Sequence, residues 1–422
     1  MITAYIKKQA WFLVFVIVTL LGLLVRFMNY HELVNFHLDP PLYMHDVKNV
    51  IDSGKISLIG PPVTSKNVDG RMFFTGPLHY HVLTVLGILS GWNILGISVF
   101  YTMLPLFAFV LIYFWFRKFY GNLIALLIYS ILIFYPPIIC MSRGIWNPHY
   151  VPLFGAAFLM FLSQRLNKIQ YFLAGLFIGF GFNVHYATVI WILVAVYYLI
   201  KDIYLGRFKF INWIYFVVGI IIAEFPLIIF EFRHNFYNLQ TMLFHLKYGS
   251  VSVGYSFAHS YYYIFTLLPI LAYILANLLY KFRFNKYYPV LVTFLVAISI
   301  CGLINSFGPE GQKPLYPDGW TITRQQEVAK IIINDGENEF EVAETINSDT
   351  RALDLRWWLR MSNIKVMNVV NYDIAPVLYL VTTDLRPPEK ETVWEVKVMK
   401  PFEIEFKKDV GGGIMLYKLV RT

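Results

Sequence analysis

This chain reads as a polytopic bundle of about nine membrane-spanning α-helices, with interface-lying helices in its first outer loop and a small C-terminal extracytoplasmic α/β domain. Three features carry that expectation. Of the 422 residues, 58% are hydrophobic and 14% charged, against roughly a quarter charged in an ordinary soluble domain. Apolar runs recur through residues 1–305 at or near the roughly 20 residues that cross a bilayer core. Beyond residue 305 the charged residues become frequent and the apolar runs shorten to strand length.

The spans, in order, are residues 9–28, 94–116, 123–140, 150–163, 170–184, 187–200, 211–230, 259–280 and 287–304, the fourth to sixth being short. The first follows Lys7 and Lys8 and carries no small-residue cleavage signal, so it reads as a retained span. Leu78–Ser90 is also apolar, but at about a dozen residues it is too short to cross and begins with His79, Tyr80 and His81; it reads as a re-entrant or interface-lying helix.

The net charge of +9 sits largely in short loops, where it reports orientation and not a nucleic-acid partner. With Leu78–Ser90 not crossing, Arg117/Lys118, Arg165/Lys168, Lys201/Arg207/Lys209 and Lys281/Arg283/Lys286 all fall on the side of Lys7 and Lys8. The expected protein is therefore integral to the cytoplasmic membrane, N-terminus inside and C-terminal domain outside, with residues 1–305 as the membrane catalytic domain and 306–422 as the outer domain. In the tail, 326–333 and 351–361 read as helices. Residues 340–345, 365–370, 377–381, 393–398 and 415–419 read as strands, with the glycines at 411–413 as a turn. Cys140 and Cys301 suggest neither a disulfide nor a metal site.

The polar residues that could do chemistry lie on one side of this layout. In the first outer loop Asp39 precedes Pro40 and Pro41, which stop the first helix and fix the turn, and Asp46 lies in a short helix running to Ser53. A carboxylate held at a membrane surface can take a proton from an incoming hydroxyl; on spacing alone Asp39 reads first as a cap of the helix that follows. At the outer end of the third span come Arg143, Trp146, Asn147 and His149. The guanidinium can grip a phosphate with two parallel bonds, or Arg143 and Trp146 can serve as interface anchors. Glu231, Arg233 and His234 end the seventh span, either as a site or as an ion pair solvating the helix end. His185 lies between two short spans, either functional or a satisfied interfacial histidine, Glu224 lies deep in the seventh span, and Arg71 joins His79 and Tyr80 as candidate groove residues. No metal motif with ligand-like spacing, no Ser-His-Asp order and no phosphate-cradling glycine loop is present, so no cofactor is implied and the need for a divalent metal stays open.

LIGPP at residues 58–62, TGPLHY at 75–80, SRGIWNP at 142–148 and FEFRHNF at 230–236 follow an Asp in a long outer loop. In that order they resemble bacterial membrane glycosyltransferases of the C superfamily, in the branch related to protein O-mannosyltransferases and aminoarabinose transferases. The resemblance covers residues 1–305. It implies a polyprenyl-phosphate sugar as donor, an acceptor hydroxyl or amine at the outer face, an essential acid at Asp39 and a phosphate-holding Arg at Arg143. Many members carry an acid directly after that Asp, where this chain has Pro40; Asp46 is not a positional match. The implied reaction is transfer with inversion, Asp39 acting as base while Arg143, with Arg71 or His149, holds the leaving phosphate. The rival functions are a flippase or carrier for lipid-linked glycans and a receptor-like protein whose tail binds a partner. Against the carrier stand the odd span count with loops of very unequal size and the shortage of mid-membrane charge; an inverted repeat, common in carriers, is not visible.

Overall fold

The computed structural model describes residues 2–63, 67, 69–249, 261–314, 319–346 and 349–422, and of residues 2–8, 261 and 262 the backbone alone. The start of the expected span 259–280 and the part of loop 231–257 beyond 249 lie outside the described residues.

The first helices are α1 (Ile2–Phe27), α2 (Tyr30–Leu33), α3 (Asp39–Asp52), α4 (Leu78–Ser90) and α5 (Ile94–Tyr120). There follow α6 (Asn122–Ile133), α7 (Pro136–Met141), α8 (Val151–Gln164), α9 (Lys168–Val184), α10 (Trp191–Tyr204), α11 (Phe210–Arg233), α12 (Tyr237–Tyr248), α13 (Tyr261–Phe282) and α14 (Tyr288–Phe307). Single 3-10 turns at Asn147–Tyr150 and Tyr186–Ile190 lead into α8 and α10. Among the described residues, 6 segments are long and apolar enough to cross a membrane: Gln9–Phe27, Ile94–Tyr120, Tyr186–Tyr204, Phe210–Arg233, Tyr263–Phe282 and Tyr288–Phe307. The expected spans 123–140, 150–163 and 170–184 fall on the shorter α6, α8 and α9. The first of these is interrupted, because Pro136 and Pro137 open α7 as a separate helix; proline has no N–H to continue the ladder.

The chain forms two compact units. One comprises Met1–Phe27, Asn49–Ser142 and Trp146–Gly311; the other comprises Met28–Lys48, Arg143–Ile145 and Gln312–Thr422. In the first unit α9 and α11 approach closely, because Gly175 faces the Phe216 carbonyl and Gly219 faces the Phe172 carbonyl with no space for a Cβ at either. Gly179 meets Ala223 one turn further on, so the pair uses small residues four apart on both helices. At the N-terminal end of α9, Arg165 donates from Nε and Nη2 to Asp202 (2.9 and 2.6 Å), and Tyr171 donates to the same carboxylate at 2.8 Å. Two loops expected on the inner side thus meet at one end of α9. Arg26, a charge inside the expected first span, is fully buried and donates to the carbonyls of Gly22 (3.0 Å) and Ile133 (2.8 Å).

The second unit is built on a four-stranded sheet, β1 (Phe340–Glu344), β2 (Val377–Thr383), β3 (Phe402–Gly411) and β4 (Ile414–Arg421), in the order β1-β2-β4-β3. β1 and β2 are parallel and the other pairs antiparallel. Alternation along β2 sends Val377, Tyr379 and Val381 to one core with α15 (Ile322–Asp335) and α16 (Leu353–Met361), and Leu378 and Leu380 to another with Val396 and Met399. The glycines at 411–413 form the β3–β4 turn, with φ of 85°, 66° and 74°, a region that glycine alone enters freely.

Two expected strands are absent. Residues 365–370 run as a loop that bonds β1 once, Met367 N to Phe340 O at 3.1 Å, and 393–398 coils into the one-turn helix α17 (Trp394–Lys397). β3 was not expected. A bulge between Ile404 and Phe406 breaks its period of two, so that Phe402 and Phe406 pack on different cores, and Glu and Lys crowd its exposed residues, as edge strands require. A further correction concerns Pro40 and Pro41, which do not stop the first helix. That helix ends at Phe27, and the prolines begin α3, where a missing N–H costs nothing.

Candidate active site

The sequence-predicted residues divide between the units. Asp39, Asp46 and Arg143 belong to the second; Arg71, His79, Tyr80, Trp146, Asn147, His149, His185, Glu231, Arg233 and His234 belong to the first.

In the second unit the segment before α3 is held from several directions. Asn35 N donates to the Arg143 carbonyl at 3.3 Å. Phe36 is buried between Trp357 and Trp358 and its carbonyl accepts from Gln325 Nε2 at 3.1 Å. His37 is buried with Nδ1 2.9 Å from Asp354 Oδ2 and 3.9 Å from Glu344 Oε1. Leu38 then turns through φ 63° and Asp39 starts α3 half-buried, as the acidic residue of its first turn. In the middle of α3, His45 donates from Nε2 to the Leu353 carbonyl at 3.0 Å and accepts from Arg360 at 3.5 Å. Burial pushes its pKa down to about 4 despite the Leu353 carbonyl, so it is neutral at physiological pH. Asp46 acts electrostatically on Arg351. Arg143 is 1% exposed and donates from Nη2 to Gln312 Oε1 at 3.3 Å. A guanidinium so far out of water is not a surface anchor, and its charge is little screened.

In the first unit the motif loops fold onto each other. Gly60 N donates to Thr75 O (2.8 Å), Thr75 N to Pro61 O (3.0 Å) and Val63 N to Phe73 O (2.8 Å), so LIGPP pairs with the segment leading into TGPLHY. Asn238 clamps this hairpin by accepting from Phe74 N at 2.6 Å and donating to Phe74 O at 2.9 Å. Asn183, at the opposite end of α9 from Tyr171, accepts from Leu78 N at 2.8 Å and donates to Ala223 O at 3.2 Å. Asn147 donates to Val184 O at 2.7 Å. The predicted polar end of this unit is therefore a connected set. Its organisers, Asn183 and Asn238, carry no sequence signal, since lone asparagines in apolar surroundings have many explanations.

Three histidines of this unit, His79, His149 and His185, are neutral groups. His149 donates from Nε2 to Met141 O at 2.6 Å, and Nδ1 is buried without a hydrogen-bond partner among the described residues. Burial lowers its pKa to about 4. His79 meets Tyr101 Oη at 3.1 Å, which in turn accepts from Tyr150 at 3.1 Å; burial, then the neighbouring His149, lowers its pKa to about 3. His185 accepts from Ala187 N at 3.2 Å and is lowered to about 4 by burial. Because His149 titrates near 6.5 when unfolded, the folded chain resists protonation between about 6.5 and 4. Its contribution, on the order of 3 kcal/mol, is fully present above pH 6.5 and is lost as pH falls toward 4. Thermal unfolding in detergent from pH 7.5 to 4 should show a falling midpoint, with a shallower slope in His149→Phe. An unchanged slope would refute this assignment.

Other candidates are occupied differently from expectation. Arg71 bonds Asp69 from Nε and Nη2 at 2.7 Å and lies 5.1 Å from the Phe244 ring centre; that guanidinium holds the Asp69 carboxyl below its usual range. Glu231 and Arg233 form no ion pair among the described residues. Glu231 instead accepts from Leu239 N at 3.3 Å, Arg233 is exposed, and His234 donates to Phe230 O at 2.9 Å. Glu224 approaches the Asn183 amide without regular hydrogen-bond geometry. Among the described residues, His37, Glu344 and Asp354 form a group able to hold a metal, with donor atoms within 4.8 Å of one another.

Long apolar helices with a small C-terminal sheet define an integral membrane protein of mainly helical fold. That fold is found along nearly the whole chain in ArnT from Cupriavidus metallidurans. The structure bound to undecaprenyl phosphate is 11% identical with a TM-score of 0.60, covering 96% of this chain and 97% of that one. The apo structure is 12% identical with a TM-score of 0.59, covering 98% of each chain. No protein-family model and no curated protein matches the sequence.

Proposed function

We propose that this chain is an inverting glycosyltransferase that moves a sugar from a polyprenyl-phosphate donor to an acceptor at the outer membrane face. Asp39 is the general base and Arg143 holds the lipid phosphate. The observation that carries the reading is the whole-chain fold match to a protein solved with undecaprenyl phosphate, together with the placement of Asp39 and Arg143 in one unit. A half-buried carboxylate at a helix start keeps access to an incoming hydroxyl. A guanidinium held out of water stabilises a departing phosphate more than an exposed one does. The chain's neutral His79, Tyr80 and His149 supply hydrogen-bonding groups without adding charge, and membrane lipid is the medium through which the donor arrives. The acceptor is a lipid, glycan or protein group bearing a hydroxyl or amine.

The deciding experiment incubates purified protein with a panel of polyprenyl-phosphate sugars and follows lipid-phosphate release. Release with at least one donor, abolished in Asp39→Asn, is the expected result. Lipid translocation in proteoliposomes without sugar transfer would replace this reading with that of a carrier.

The same reading places the N-terminus inside and the tail outside. In a background with Cys140 and Cys301 replaced by Ser, a cysteine at Trp92 should label from outside and one at Arg117 from inside. Trp92 precedes α5 (Ile94–Tyr120) and Arg117 lies in its last turn. Labelling of the Arg117 position from outside would reverse the orientation.

A further inference from the structure

We propose that His37, Glu344 and Asp354 bind a divalent first-row transition-metal ion, Zn²⁺ or Mn²⁺. The three side chains come from separate pieces of one compact unit: the strap before α3, the end of β1 and the first turn of α16. They are 2%, 2% and 1% exposed. A surface acidic cluster finds its counterions in solvent; a buried set of one imidazole and two carboxylates must find them locally.

The donor geometry is near that of a metal site. Ligands at 2.0–2.2 Å in a tetrahedron stand about 3.4 Å apart, and His37 Nδ1 stands 2.9 Å from Asp354 Oδ2 and 3.9 Å from Glu344 Oε1. One imidazole with two carboxylates suits Zn²⁺ or Mn²⁺ better than Mg²⁺ or Ca²⁺, which favour all-oxygen shells.

The outer shell is an independent observation pointing the same way. Asp354 accepts from Trp320 Nε1 at 2.8 Å and from Leu355 N at 2.7 Å, which fixes its carboxylate as ligating carboxylates are fixed. Asp349 is paired with Arg351 at 2.6 Å and is not counted among the ligands. The ion would tie the segment two residues ahead of Asp39 to the sheet and so set where α3 begins. The site stands whether or not the chain transfers sugar.

The test uses the full-length protein in detergent. Metal content is measured as purified, and chelator-treated protein is titrated with Co²⁺ as a spectroscopic probe and with Zn²⁺ by calorimetry. Wild type should hold close to one equivalent and bind Co²⁺ with d–d absorption bands. His37→Ala and Glu344→Gln should weaken binding at least about 100-fold, while Asp373→Asn, an exposed carboxylate elsewhere in the unit, leaves it unchanged. Zn²⁺ should raise the unfolding midpoint of wild type and not of Glu344→Gln. Should either variant fail to fold, wild type alone decides. Folded wild type that neither retains metal nor binds Co²⁺ saturably overturns the proposal, as does unchanged affinity in both variants.

Discussion

Asp39→Asn is expected to lower turnover by about 10²–10⁴-fold with donor affinity within a few-fold of wild type, because a general base acts on the proton that moves in the transition state. That loss corresponds to about 3–5 kcal/mol of barrier. The substitution keeps shape and hydrogen-bonding reach while removing the negative charge, so it separates chemistry from architecture. Architecture matters at this position, since Asp39 opens α3 directly after a left-handed residue, Leu38 at φ 63°. An aspartate in a helix's first turn contributes about 0.3–1 kcal/mol through the helix dipole, which Asn forgoes. A role confined to the helix start would therefore move the unfolding midpoint slightly and leave turnover intact. Lipid-phosphate release and donor binding measured side by side distinguish the two. Wild-type turnover in a folded Asp39→Asn removes the base from the mechanism.

The setting of Asp39 also shows where sequence reasoning reached and where it stopped. The bounds of Leu78–Ser90 were legible because an uninterrupted apolar run sets them. Three of the strands were legible from period-two apolar runs, while β3 was hidden by its own charged edge. The hairpin joining LIGPP to Thr75 was not legible, since its pairing is carried by backbone groups that every residue owns. Nor was the company kept by His37. The histidine stands in plain view beside Asp39, but its partners Glu344 and Asp354 lie more than 300 residues on, in ordinary strand and helix positions. Spacing rules detect ligands that share an element, and these do not. For the same reason a domain boundary drawn at a change in composition assigns residues 28–48 to the membrane part, although they form one compact unit with 312–422. A tail deletion would thus uncover Phe36 and His37 and unsettle the start of α3, so loss of activity on deletion would not show that the tail binds a partner.

Arg143→Ala is expected to fail differently from Asp39→Asn, with donor affinity and turnover both falling. A phosphate is present in the bound donor as well as in the transition state, so the guanidinium serves both. Losing a charged hydrogen-bonding group costs about 2–5 kcal/mol when its partner stays buried, enough to weaken donor binding by more than tenfold. The substitution also leaves a cavity and deprives Gln312 of its 3.3 Å donor, so a drop in the unfolding midpoint is part of the expected result. Gln312→Ala isolates that structural share, because it removes the partner and keeps the charge. Lysine at 143 should restore only part of the activity: it returns a positive charge but not the planar fork that meets two phosphate oxygens at once. A rescue by Lys that is complete would mean the charge acts at a distance and not by paired bonds. If folded Arg143→Ala binds donor and turns over near normally, the side chain's work is to hold Gln312, and phosphate recognition passes to the exposed guanidinium of Arg233 or to Arg71 released from Asp69.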